Sequence, residues 1–140
     1  MGQAKFAHDL LSRAMMLDVS HVSTPLAAGS HLFSSGDAYS DPTHYRYLVG
    51  ALQYLTITRP DLSYAVNTVS QFLQAPTVDH FQAVKRILCY VCGTQHFGLM
   101  FRRTSFPVVL GYSDVDWARC TDTRRSTYGY SIFLGDNPLS

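Results

Sequence analysis

The sequence predicts an α+β chain in which a small helical cluster is followed by the first strands of a mixed sheet. Two observations carry this. From Thr43 to Gly93 the apolar residues recur at helical spacing, whereas after Gly93 the period shifts toward two. Punctuation at Pro60, Pro76 and Gly93 cuts the first stretch into separate helices.

Taken in order, Lys5 to Met16 places Phe6, Leu10, Leu11 and Ala14 on one helical face. Asp18 to Pro42 is rich in serine, holds Gly29, Gly36 and Pro25, and keeps no strong period. It reads as a tether lying over a surface. Tyr45, Leu48, Val49, Leu52 and Leu55 form the next stripe, ending near Thr58. Thr58-Arg59-Pro60-Asp61 has the ingredients of a helix start: a capping hydroxyl, a proline in the first turn and an early acid. Leu62, Ala65, Val66, Val69, Phe72 and Leu73 then line one face up to Pro76. Thr77 is the cap expected for a further helix, with Phe81, Val84, Leu88 and Val91 as its stripe and Gly93 as its C′ residue. Phe97 to Phe101, Val108 to Tyr112 and Thr127 to Leu134 read as strands, with turns at 102–107 and 135–138. A sheet that starts this late reads as one cut short. Its open edges and uncovered apolar face predict poor order or aggregation in the C-terminal third.

Composition narrows the function classes. Eleven Lys+Arg against ten Asp+Glu leave a net charge of +1 over 140 residues, which excludes a chain that coats nucleic acid by charge alone. Hydrophobic residues at 46% exclude disorder across the whole chain. No apolar run approaches the ~20 residues of a membrane span, and no signal-peptide core follows Met1. Three cysteines argue against a disulfide framework. An intracellular, reducing setting is therefore expected, with no membrane partner.

Few residues carry chemistry. Asp114 and Asp116, in Tyr112-Ser113-Asp114-Val115-Asp116-Trp117, lie at or just past a predicted strand end, where a carboxylate can hold a divalent ion. A two-metal nuclease centre needs more carboxylates than these, and a solvated acidic turn explains the spacing equally well. Cys89-Tyr90-Val91-Cys92 is a C-x-x-C without a second ligand pair. It sits near a helix end, where the dipole raises thiol pKa. Lys85, Arg86, Arg124 and Arg125 belong to a basic set interleaved with aromatics, able to follow a nucleic-acid backbone or simply to form a solvated face.

Several blocks, in order, resemble the Pol polyproteins of copia-type LTR retrotransposons. Tyr45-Arg46-Tyr47-Leu48-Val49-Gly50-Ala51-Leu52-Gln53-Tyr54-Leu55 with Thr58-Arg59-Pro60-Asp61-Leu62 is one. Ala83-Val84-Lys85-Arg86-Ile87-Leu88 is a second, and Gly111-Tyr112-Ser113-Asp114-Val115-Asp116-Trp117-Ala118 with Arg124-Arg125-Ser126-Thr127 a third. Gln3-Ala4-Lys5-Phe6 with Asp9-Leu10-Leu11 and Thr24-Pro25 resembles the end of the reverse transcriptase domain.

The resemblance implies a reverse-transcriptase tail at 1–17, a tether at 18–42, a thumb or connection region at 43–96 and the truncated start of an RNase H-like domain at 97–140. It makes Asp114 the first RNase H acid, a ligand for Mg2+ only if the rest of the site were present. It makes Asp116 a non-catalytic neighbour. Its implied partners are an RNA–DNA hybrid or template-primer and the remaining Pol segments. The family's Tyr-x-Asp-Asp strand does not occur here, and its later RNase H acids are expected beyond Ser140. Cys89 and Cys92 stand where the family usually carries Arg and Lys, which removes two charges and leaves the C-x-x-C without the standing of a site. A chain of this lineage is expected to be inactive by itself. The alternatives are a nucleic-acid-binding module that keeps the thumb-like helices, or an interaction protein built round its cysteines.

Overall fold

The computed structural model describes residues 3–27, 32–99, 103, 108–116 and 127–138, in two compact units, Met1–Gly98 and Leu99–Ser140. The chain is α+β. Among the described residues the first unit holds four helices and the second a three-stranded antiparallel sheet.

Helix α1 (Gln3–Arg13) buries Ala7, Leu10 and Leu11. It ends in a Schellman motif, with Met16 N–H donating to the Leu11 carbonyl at 2.8 Å and Met15 N–H to that of Ser12 at 3.1 Å. The left-handed residue this requires is Met15, at φ 55°, with its side chain in solvent and Leu11 and Met16 in the core.

Helix α2 (Pro42–Thr56) begins at Asp41, whose carboxylate accepts from His44 N–H at 2.9 Å while Pro42 fills the first turn. Its predicted stripe of Tyr45, Leu48, Val49, Leu52 and Leu55 is buried throughout. The Tyr45 hydroxyl donates to the Val69 carbonyl at 2.7 Å, and burial raises its pKa beyond the ordinary phenol range.

A 3-10 turn (Pro60–Leu62) leads into α3 (Ser63–Ser70), which buries Ala65, Val66 and Val69. The sequence placed Phe72 and Leu73 on this helix and made Thr58 its cap. Instead α3 stops at Ser70, its N-cap is Leu62, and Arg59 caps the 3-10 turn, neither with a side-chain cap bond. Helix α4 (Val78–Gly93) starts, as expected, at Thr77 and buries Ala83, Val84, Ile87, Leu88 and Val91. Gly93 lies inside this helix, and Thr94 is its C-cap.

Residues 18–41 form no helix where described, yet Val19, Val22, Leu26, Leu32 and Tyr39 pack against the core. A single antiparallel bridge joins Ala38 to Thr77, so this stretch is a packed strap. The strand expected at Phe97 to Phe101 is absent from 97–99, the part that is described. There Phe97 N–H turns back to the Thr94 carbonyl at 2.9 Å.

In the second unit β1 (Val109–Asp116) pairs antiparallel with β2 (Thr127–Leu134), in register from Val109 opposite Leu134 to Asp116 opposite Thr127. Strand β3 (Asn137–Pro138) returns along β2 through a two-residue loop whose first residue, Gly135, takes φ 58°, where a type II′ hairpin needs glycine. β1 runs past the predicted end at Tyr112 because eight cross-strand pairs with β2 hold it extended. The three described strands are antiparallel to their neighbours, in the order β1-β2-β3.

Candidate functional site

Asp114 sits within β1, not at its end, directly across from Gly129 of β2. It is exposed, and the glycine offers no side chain across the ladder. Asp116, two residues on, pairs with Thr127 at the far end of the strand. A two-metal centre needs several carboxylates around ions about 4 Å apart. Among the described residues no group of three or more His, Cys, Asp or Glu side chains converges in that way. Asp114 supplies a single carboxylate, and a magnesium ion there would need ligands from elsewhere.

Of the predicted basic residues, Lys85 and Arg86 lie among the described residues. Lys85 is exposed on α4, with its ammonium 5.4 Å from the centre of the Phe81 ring one turn earlier. Its neighbour Arg86 points about 100° round the helix, as successive helical residues must. One Arg86 guanidinium nitrogen donates to the Thr24 hydroxyl at 3.0 Å, holding the strap, while its buried Nε has no partner among the described residues. Arg124 and Arg125 lie outside the described residues. Cys89 and Cys92 are both free thiols, and Cys92 is buried with its S–H donating to the Leu17 carbonyl at 3.3 Å. Cys120 lies outside the described residues.

The most connected polar group is one the sequence did not single out. Arg59 is 4% exposed and grips Asp61 through two nitrogens, at 2.9 and 2.7 Å. Its remaining donors reach the Thr94 carbonyl and hydroxyl at the end of α4, and Tyr90 and Phe97 flank its plane. Burial by itself would raise the Asp61 carboxyl. The hydrogen bonds and charge of Arg59, with a hydrogen bond from Tyr90, outweigh it and hold Asp61 below the usual carboxylate range. The same burial, with the Asp61 charge, pushes the Tyr90 phenol up. With all three guanidinium nitrogens bonded to protein partners, the arrangement is a structural joint between the 3-10 turn and α4. Only the motif order around Thr58-Arg59-Pro60-Asp61 hinted at it, since nothing local reveals a partner at Thr94.

No protein-family model matches the chain, and no solved structure resembles it closely enough to match. Individual proteins do match. The retrovirus-related Pol polyprotein from transposon RE2 of Arabidopsis thaliana is 46% identical over 141 residues, covering 100% of this chain. The chain is homologous to transposon Pol polyproteins. The corresponding polyprotein from transposon TNT 1-94 of Nicotiana tabacum is 37% identical over 150 residues, again across 100% of the chain. An uncharacterized mitochondrial protein of Arabidopsis thaliana is 48% identical over 140 residues, 58% of its own length. The chain spans only about a tenth of the Pol polyproteins it matches, 10% of the first and 11% of the second. Among the described residues, no helix is long and apolar enough to cross a membrane.

Proposed function

We propose that this chain is a retrotransposon-derived Pol segment of the reverse transcriptase and RNase H lineage, without catalytic activity of its own. The observation that carries the reading is similarity along the whole chain to Pol polyproteins of which it spans about a tenth. In this reading residues 1–17 are the reverse-transcriptase tail, 43–96 the thumb or connection helices, and 97–140 the opening of an RNase H-like domain. The antiparallel β1–β2–β3 order with Asp114 inside the first strand supports the last of these. Asp114 is then the first acid of a magnesium site completed by other Pol segments, acting on an RNA–DNA hybrid. Among the described residues no group of three or more metal-ligating side chains gathers into such a site.

The test is hybrid cleavage by the purified chain with magnesium or manganese. No cleavage above blank is expected from the chain alone. Cleavage is expected once the remaining Pol segments are joined to it, and loss of that cleavage in Asp114→Asn. Strong cleavage by the chain alone, abolished in Asp114→Asn, overturns the reading. Hybrid binding that weakens with salt and in Lys85→Ala, without any cleavage in the joined form, would favour a binding module instead.

A further inference from the structure

The joint at the head of α4 has a property that the Pol reading does not use. His80 is 0% exposed, the third residue of α4, with its ring stacked on Phe72 at 3.8 Å between centroids. Its two nitrogens have opposite duties. Nδ1 lies 2.9 Å from Thr77 N, and a backbone N–H can only donate. Nε2 lies 3.0 Å from the Phe33 carbonyl oxygen, which can only accept. Nδ1 is therefore the bare nitrogen and Nε2 carries the hydrogen, so the ring is neutral in a single tautomer.

That ring closes a capping box with Thr77, whose hydroxyl accepts from His80 N–H. It also reaches across to the strap. Around it the strap is tied to the same corner by Val78 N–H donating to the Asp37 carbonyl at 2.9 Å and Tyr39 N–H donating to that of Pro76 at 2.9 Å. The Tyr39 ring stacks on Phe81 at 4.2 Å. All these contacts join residues 33–39 to residues 76–81, and the His80 side chain is bonded to both sides.

We propose that His80 makes the packing of residues 32–41 on the start of α4 acid-sensitive: the strap is held while the ring is neutral and released when the ring takes a second proton. A proton on Nδ1 would aim an N–H at the Thr77 N–H and destroy that bond. The positive end of the α4 dipole lies against the same ring and also disfavours a cation. Burial lowers the affinity of the ring for that proton, while the Phe33 carbonyl and Asp79 on α4 pull the other way. Among the described residues, the other ionisable groups around this corner are Asp37 and Tyr39 on the strap, Asp41 and His44 at the head of α2, Arg46 bonded to the Leu73 carbonyl beside Phe72, and Lys85 over Phe81. His44 contacts Tyr39 at 3.4 Å, so its own substitution serves as the control.

The experiment is amide hydrogen exchange by NMR on the full chain, from about pH 7.5 to about pH 5 and corrected for intrinsic exchange. Protection at Tyr39 and Val78 is expected to fall as pH drops below about 6.5, the ordinary histidine value, by at most about tenfold per unit, while Leu52 in α2 stays protected. The His80 ring nitrogens should report the Nε2–H tautomer above that range and titrate together with the loss of protection. In His80→Gln, which can still accept from Thr77 N–H, protection at Tyr39 and Val78 should be flat with pH. His44→Gln should leave the native response intact. Flat protection in the native chain overturns the proposal, as does a ring in the Nδ1–H tautomer, or an unchanged pH response in His80→Gln.

Discussion

Arg59 and Thr94 meet across 35 residues, with two guanidinium nitrogens on one threonine at 2.9 and 2.8 Å, carbonyl and hydroxyl together. Arg59→Ala removes this link and strands Asp61, the Thr94 carbonyl and the ring faces of Tyr90 and Phe97. Because Asp61 remains 34% exposed and can recover water, the loss should be smaller than for a fully buried pair, about 2–3 kcal/mol. Urea unfolding followed by circular dichroism measures it. Arg59→Lys should recover only part, since an ammonium cannot fork onto the carboxylate and reach Thr94 together.

Acid should weaken the same joint. Asp61 is held below its ordinary range in the folded chain, so it binds fewer protons folded than unfolded. Its contribution is present above about pH 4, the unfolded carboxylate value, and is lost as pH falls through the lower folded value. Unfolding midpoints measured downward from about pH 5 should show this loss, and Asp61→Asn should flatten it.

Met15 should be replaceable to advantage. Its φ of 55° is demanded by the Schellman bonds at the end of α1, and its side chain is 91% exposed, so little packing is lost. Met15→Gly should stabilise the helical unit by about 1 kcal/mol, the usual cost of a left-handed non-glycine residue. A rise in thermal midpoint is the readout.

Two helical glycines should respond with opposite signs. A Cβ at Gly50, on the exposed side of α2, meets nothing within 4 Å, so Gly50→Ala should stabilise by up to about 1 kcal/mol. A Cβ at Gly93 comes within 3.0 Å of the His21 Cβ, which Cys92 and Arg86 help to hold through Leu17 and Thr24. Gly93→Ala should therefore lower the midpoint, and paired melts of the two variants give the comparison.

Much of the helical unit was legible because it rests on short-range rules. The α2 stripe is buried residue for residue, and Thr77 caps α4 as its hydroxyl suggested. What escaped depends on partners far along the chain. The polar-looking strap is packed because its few apolar residues find the core, a relation no local period can reveal. His80 escaped notice because a capping box is ordinarily recognised by Glu or Gln at that position. Asp114 was placed near a strand end because β1's length is set by β2, which starts only at Thr127. The role proposed for it in a Pol chain rests on motif order, not on geometry.

Helix α4 closes the helical unit from one side, contacting α1, α2 and α3, gripping the strap at Thr77 and His80 and the 3-10 turn at Thr94. It is also the last of the described helices to be synthesised. On the ribosome, the apolar faces of α1 to α3 therefore emerge before the wall that covers them. Until Gly93 clears the exit tunnel, the nascent chain is a natural client for chaperones. A premature stop codon anywhere before α4 is complete would release a polypeptide with its interior uncovered, destined for proteolysis or aggregation.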